Sequence, residues 1–206
     1  MQPAVYDDSI FINCPFDLEY VPILRAIIFT IYRCGFYPRC SLEEDNALDN
    51  RLAKIEKCIE ACRYGLHDIS RIELNKNNLP RFNMPFELGI FFGAKRFGNK
   101  HQKNKNAIIF EKTKYSYQEY ISDLNGIDTK AHNGNSDIVI IKLRDWLRSA
   151  SGRTSIPGSG IIIQDYHAFL EKFPAIIKSI GLNTDDISFN DYCIIVEEVI
   201  REKLSN

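Results

Sequence analysis

The sequence has no long apolar run: nothing approaches the roughly 20 uncharged apolar residues of a membrane-spanning helix, so no membrane association is expected. Its opening, Met1-Gln2-Pro3-Ala4-Val5-Tyr6-Asp7-Asp8, carries neither a basic stretch nor an apolar core, so no secretory signal is read and a cytoplasmic location is expected. An excess of one charge is missing too. Lys and Arg number 26 against 27 Asp and Glu, and the formal net charge of -1 offers nucleic acid no general attraction. The six cysteines (14, 34, 40, 58, 62 and 193) form no CxxC pair, and the four histidines (67, 101, 132 and 167) lack ligand spacing. Reduced cysteines packed as small apolar groups, and no metal, are therefore expected. The phosphate-cradling GxGxxG and GxxxxGK motifs and the GxSxG nucleophile elbow are also absent, which removes the usual support for reductase, P-loop and hydrolase readings.

What is present is an ordinary globular composition, 45% hydrophobic and 26% charged, over 206 residues, enough for one substantial domain. The apolar run 9–13 ends at Cys14-Pro15 and predicts a buried first strand; residues 19–34 carry a helical period, with Gly35 placed to cap it. Residues 36–42 predict an edge strand containing Pro38, 49–63 an amphipathic helix, and 64–69 a third strand. After a polar loop at 73–81, Pro85 to Ala94 predicts a helix start, with Gly89 and Gly93 letting its backbone approach the sheet. Residues 107–111 give a fourth strand. The alternation predicts a flavodoxin-like α/β fold: an open, mainly parallel sheet, helices on both faces, a core at 9–111 and a mostly helical C-terminal extension at 112–206. Within that extension, 115–124, 137–149, 166–180 and 190–204 read as helices, the last two covering the sheet or building a dimer surface. Lys95, Arg96, Lys100, Lys103 and Lys105 read as a solvated basic loop.

Ligands of open parallel sheets sit beyond the carboxyl ends of the strands. Asn13, Cys14, Pro15, Phe16 and Asp17 follow the first strand, residues 41–45 the second, and His67, Asp68, Ser70 and Arg71 the third; Asn83 and Glu87 open the next helix. Glu87 is the sharpest candidate, an acid in the first turn of an otherwise apolar helix. There it suits stabilisation of, or attack on, an oxocarbenium-like sugar, or it simply offsets the helix dipole. Asp68 can bind a sugar hydroxyl or cap a loop, and His67 can act as donor or base. Asn13 and Phe16 can shape a nucleobase pocket or merely end their strand. Arg39, Arg51 and Arg71 each suit a phosphate or a surface acid.

Leu66-His67-Asp68-Ile69-Ser70, followed by Pro85-Phe86-Glu87-Leu88-Gly89-Ile90-Phe91-Phe92-Gly93-Ala94 and the strand at 107–110, resembles the core of nucleoside 2-deoxyribosyltransferases and their TIR-like relatives over residues 9–111. The resemblance implies that Glu87 is the catalytic carboxylate, in an E-x-G-x-A-type helix start, with Asp68 as the strand-end aspartate. It further implies cleavage of the N-glycosidic bond of NAD or a related nucleotide, as in antiphage TIR-like effectors and signal producers. NAD is then a substrate and no cofactor is needed. A nucleotide ligand and a homo-oligomer or partner defence protein follow from the same resemblance, with Asn125, Asp128 and His132 as contributors in trans. Two positions depart from the pattern: Arg81-Phe82-Asn83-Met84 replaces the transferases' Asp-Ser-Gly stretch, and Met84 stands where TIR-like enzymes often carry cysteine. The other readings are deoxyribosyl transfer between bases and a non-catalytic nucleotide-sensing or assembly module.

Overall fold

The structure, a computed structural model, describes residues 5–71 and 81–205, so the polar loop read at 73–81 lies, but for Arg81, outside the described residues. Among the described residues the strands and α-helices are β1 (Ser9–Asn13), α1 (Val21–Arg33), β2 (Tyr37–Arg39), α2 (Arg51–Ala61), β3 (Tyr64–Asp68), α3 (Asn83–Phe97), β4 (Asn106–Glu111), β5 (Lys130–Ala131), α4 (Ser136–Ser151), α5 (Ser159–Ser179) and α6 (Phe189–Ser205). The strands form one sheet in the order β2-β1-β3-β4-β5, and every neighbouring pair is parallel. This is the flavodoxin-like α/β fold.

All five residues of β1 and of β3 are buried, as strands covered on both faces require. Pro38 sits on β2, at one edge, where its missing N–H costs no ladder bond. The other edge was not read in the sequence. β5 is two residues long, too short to show any alternation, and it extends the sheet past Glu111 by pairing Phe110 with Lys130 and Glu111 with Ala131. The expected helix at 115–124 is instead two 3₁₀ turns. Glu111, buried at the end of β4, accepts bonds from Tyr115 N at 2.9 Å and the Ser116 hydroxyl at 3.1 Å, which ties the chain into tight turns there.

One face of the sheet packs Ile10, Ile12, Leu66, Ile108 and Phe110 against α1 and α4; α5 and α6 lie mainly on those helices and form an outer layer. The opposite face packs Phe11 against Ile55, Cys58 and Ile59 of α2 and Phe91 of α3. All six cysteines are free and buried. Gly35, at φ +78°, closes α1 in the left-handed region that a side chain would strain.

Three local expectations are corrected. α3 begins at Asn83, two residues before Pro85, so Glu87 lies in the second turn and no acid occupies the first; proline is tolerated at the third helical position because that N–H has no partner within the helix. Gly89 and Gly93 have no atom within 4 Å of an added Cβ; the close approach is at Gly65, where a Cβ would stand 2.7 Å from His67 Nε2 and 2.8 Å from the Phe91 ring. Lys105 does not belong to a solvated loop. It is fully buried, and its ammonium donates to Ile59 O at 2.5 Å and to Cys62 O, closing the C-terminal end of α2. Burial holds its pKa down, at about 8.

The glycines give a direct check of this packing. Gly65→Ala is expected to lower the urea midpoint with unchanged slope, a loss of about 1–3 kcal/mol from overpacking. Gly89→Ala and Gly93→Ala should hold or raise stability, by up to about 1 kcal/mol each, since alanine suits a helix better. Equal losses at all three positions would contradict the close contact between β3 and α3.

Candidate functional site

In this strand order the chain leaves β1 toward one edge and β3 toward the other. The sheet therefore has its switch point between β1 and β3, where a crevice opens beyond the strand ends. A cavity of about 580 Å³ lies beside those ends, lined by Cys14, Pro15, Phe16, Asp17, Arg51, Arg81, Phe82, Asn83, Met84 and Glu87. Six of the residues expected on the rim, Cys14, Pro15, Phe16, Asp17, Asn83 and Glu87, thus share one space. Arg81, Phe82 and Met84 join them unforeseen, because helix α3 starts earlier than Pro85 implied and the chain before it turns along the cavity wall.

Glu87 is only 7% exposed, and its carboxylate makes no hydrogen bond or ion pair with any described residue. It is nevertheless absent from the buried polar atoms that are sealed from solvent without a partner, so its oxygens open onto the cavity. Burial pushes its pKa up to about 7, against a smaller opposing pull from the Arg51 guanidinium. Burying a carboxylate unpaired is costly, and a residue that contributes nothing to the fold in return is a candidate for chemistry. Cys14 is no rival nucleophile. Burial, then the charge of Asp68, raises its thiol well above the ordinary range.

Asp68, Asn13, His67, Ser70 and Arg71 do not line the cavity; each is engaged around it. Asp68, 0% exposed, accepts from Tyr20 Oη at 2.5 Å and Ser70 N at 2.8 Å. His132 Nε2 stands 3.1 Å from Oδ2, the oxygen that also accepts from Tyr20, although off the line of a hydrogen bond. Because His132 Nδ1 accepts from Gly134 N at 2.9 Å, its proton belongs on Nε2, toward the carboxylate. Burial raises the Asp68 pKa, but His132, Ser70 and Tyr20 together outweigh it and hold the carboxyl below the usual range. The expected sugar-binding aspartate is therefore bound inside the fold. His132, expected to act on a neighbouring subunit, faces Asp68 of its own chain; Asn125 and Asp128 are exposed, and Asp128 pairs with Lys130 at 2.5 Å.

Asn13 positions Glu87 indirectly. Its amide donates to Met84 O at 2.8 Å and to His67 Nδ1 at 3.0 Å, pinning the first turn of α3 to β1 and β3. His67 is fully buried between the rings of Phe11 and Phe91. Burial, then Lys105, pushes its pKa down to about 3, so it is held neutral, and it stands apart from the residues that line the cavity. Arg71 reaches Asp17 at 2.6 Å and Glu19 at 2.8 Å. A second hollow of about 580 Å³ lies on the far side of Phe16, lined by Leu18, Val21, Leu24, Arg25, Leu42, Phe189 and Tyr192 among others; Phe16 borders both.

The fold and crevice define the class as a doubly wound α/β domain with a cavity at the switch point. No protein-family model matches the chain, and no curated protein matches it. Among the described residues no three His, Cys, Asp or Glu side chains are grouped to hold a metal ion, and no helix is long and apolar enough to cross a membrane.

The raised Glu87 pKa has a signature in stability. A folded-state value near 7 against an ordinary 4.5 means that its contribution is fully present below pH 4.5 and is lost as pH rises through 7. Thermal melts should show Glu87→Gln more stable than the wild type at pH 8 by about 1–2 kcal/mol, discounted for the solvent the group keeps. The gap should vanish near pH 4.5. A gap of constant size across that range would show that Glu87 titrates normally.

Proposed function

We propose that the protein cleaves the N-glycosidic bond of NAD or a related nucleotide, with the Glu87 carboxylate facing the ribose. The observation that carries this reading is the mostly buried carboxylate, without a partner among the described residues, on a cavity of about 580 Å³ at the switch point of the sheet. That volume falls within the range of small-molecule sites. As the bond from C1′ to the base nitrogen breaks, its electron pair leaves with the base and the ribose takes on oxocarbenium character. An ionised Glu87 then stabilises that cation or bonds to C1′, and water completes hydrolysis. The resemblance at Glu87 and Gly89 supports the same chemistry. The hollow across Phe16 favours a dinucleotide over a single nucleoside, since it gives room for a second base against apolar walls.

Nicotinamide release from NAD is the direct assay. Glu87→Gln and Glu87→Ala are each expected to lower kcat on the order of 100-fold or more with the fold retained. In the wild type, kcat/KM should rise about tenfold per pH unit below 7 and level above it, because the working form is the anion. Undiminished turnover in purified Glu87→Gln protein overturns the mechanism. Base exchange between a deoxynucleoside and a free base, without NAD consumption, would instead identify a deoxyribosyltransferase.

A further inference from the structure

Three arginines stand out in the sequence as partners for a phosphate, and the structure separates them. Arg39 grips Glu43 with two nitrogens, at 2.5 to 2.9 Å. Arg71 is held by Asp17 and Glu19. Arg51 alone of the three has no hydrogen bond or ion pair with a described residue, and it lines the Glu87 cavity.

Its location is unfavourable for helix stability. Arg51 is the first residue of α2, whose first turn carries no acid, and a cation there is opposed by the positive end of the helix dipole. The Asn50 side chain caps the turn through Ala53 N at 2.8 Å, so the helix does not need the arginine. A guanidinium and a helix N-terminus at the same rim both favour an anion. Arg81, which lines the same cavity, lies 3.7 Å from Asp17, a loose contact beside that of Arg71, which meets the same residue at 2.6 Å. The cavity wall thus presents two guanidiniums, one acid already neutralised and one acid without a partner.

We infer that this cavity holds the phosphate of a phosphorylated nucleoside, with Arg51 as its principal ligand and Arg81 as a second donor. The inference rests on the reading of the site as a nucleotide site, but not on cleavage taking place there. It narrows the substrate class to nucleotides and dinucleotides and excludes unphosphorylated nucleosides. A planar guanidinium fork suits two phosphate oxygens at once, which an ammonium cannot match.

Calorimetric titration of the full chain with ADP and with adenosine tests it, using wild type, Arg51→Gln, Arg51→Lys and Arg81→Gln. Arg51 is exposed, so its replacement should leave the fold intact. Wild-type protein is expected to bind ADP about tenfold or more tighter than adenosine, the worth of one charge-assisted contact. That preference should shrink between about 50 and about 300 mM salt. Arg51→Gln should abolish most of it, with adenosine binding unchanged, Arg51→Lys should restore part, and Arg81→Gln should lose less. In NAD turnover Arg51→Gln should raise KM with little change in kcat. Equal binding of ADP and adenosine, no measurable ADP binding, or an ADP affinity indifferent to Arg51→Gln overturns the inference. If nicotinamide release fails in Glu87→Gln while KM and ADP affinity ignore Arg51→Gln, the phosphate site is wrong and the cleavage reading stands. If ADP binding depends on Arg51 but NAD is not consumed, the reverse holds.

Discussion

A carboxylate removed from most of its water, and bonded to none of the described residues, is the constraint around which the rim of the sheet is organised. An isolated buried anion is unfavourable, and proteins relieve it by pairing the charge or raising the pKa. Glu87 follows the second route, with burial outweighing the pull of the Arg51 guanidinium. What keeps the side chain from escaping is the anchoring of its helix: Asn13 holds Met84 O from β1, and Leu88 and Phe91, on either side of the next turn, are buried against the sheet.

Alternation along a strand explains why so few of the strand-end residues reach the ligand. On β3 successive side chains point to opposite faces, so His67 goes toward Phe11 and Phe91 on the side of α2 and α3, and Asp68 goes toward Tyr20 and His132 on the side of α1. Neither points along the sheet into the crevice. The residues that do reach the cavity come from loops and helix starts, where the backbone is free of the two-residue period: Cys14 to Asp17 after β1, Arg51 at the start of α2, and Arg81 to Met84 with Glu87 around the start of α3.

The fold was legible because its signals are local and repeated. The apolar strands β1, β3 and β4 alternate with the amphipathic helices α1 and α2, and Pro38 marks an edge, so the sheet type follows from pattern alone. β5 was not legible: two residues carry no period, and Lys130 and Ala131 are not typical strand formers. That Glu87 and the segment after β1 lie together at the crevice was legible because chain position relative to strand ends is a topological property. The burial of Asp68 and His67 was not legible because it depends on groups distant in sequence: Tyr20 and His132 around one, the rings of Phe11 and Phe91 around the other. Lys105 shows the same blindness in reverse. A lysine among other lysines reads as solvated until the carbonyls of Ile59 and Cys62 are seen to close over it.

The contacts around Asp68 join three remote stretches of chain: the approach to α1 through the Tyr20 hydrogen bond, the end of β3, and the turn after β5 through the close approach of His132. A protein cut back to its first four strands would strip that buried charge of one partner and uncover the apolar side of α1 that α4 and α6 occupy. The C-terminal half is therefore not an appendage that evolution or an engineer can exchange freely. It supplies part of the electrostatic footing on which the crevice stands, and substitutions far along the chain, at His132 above all, will be felt at the mouth of the site.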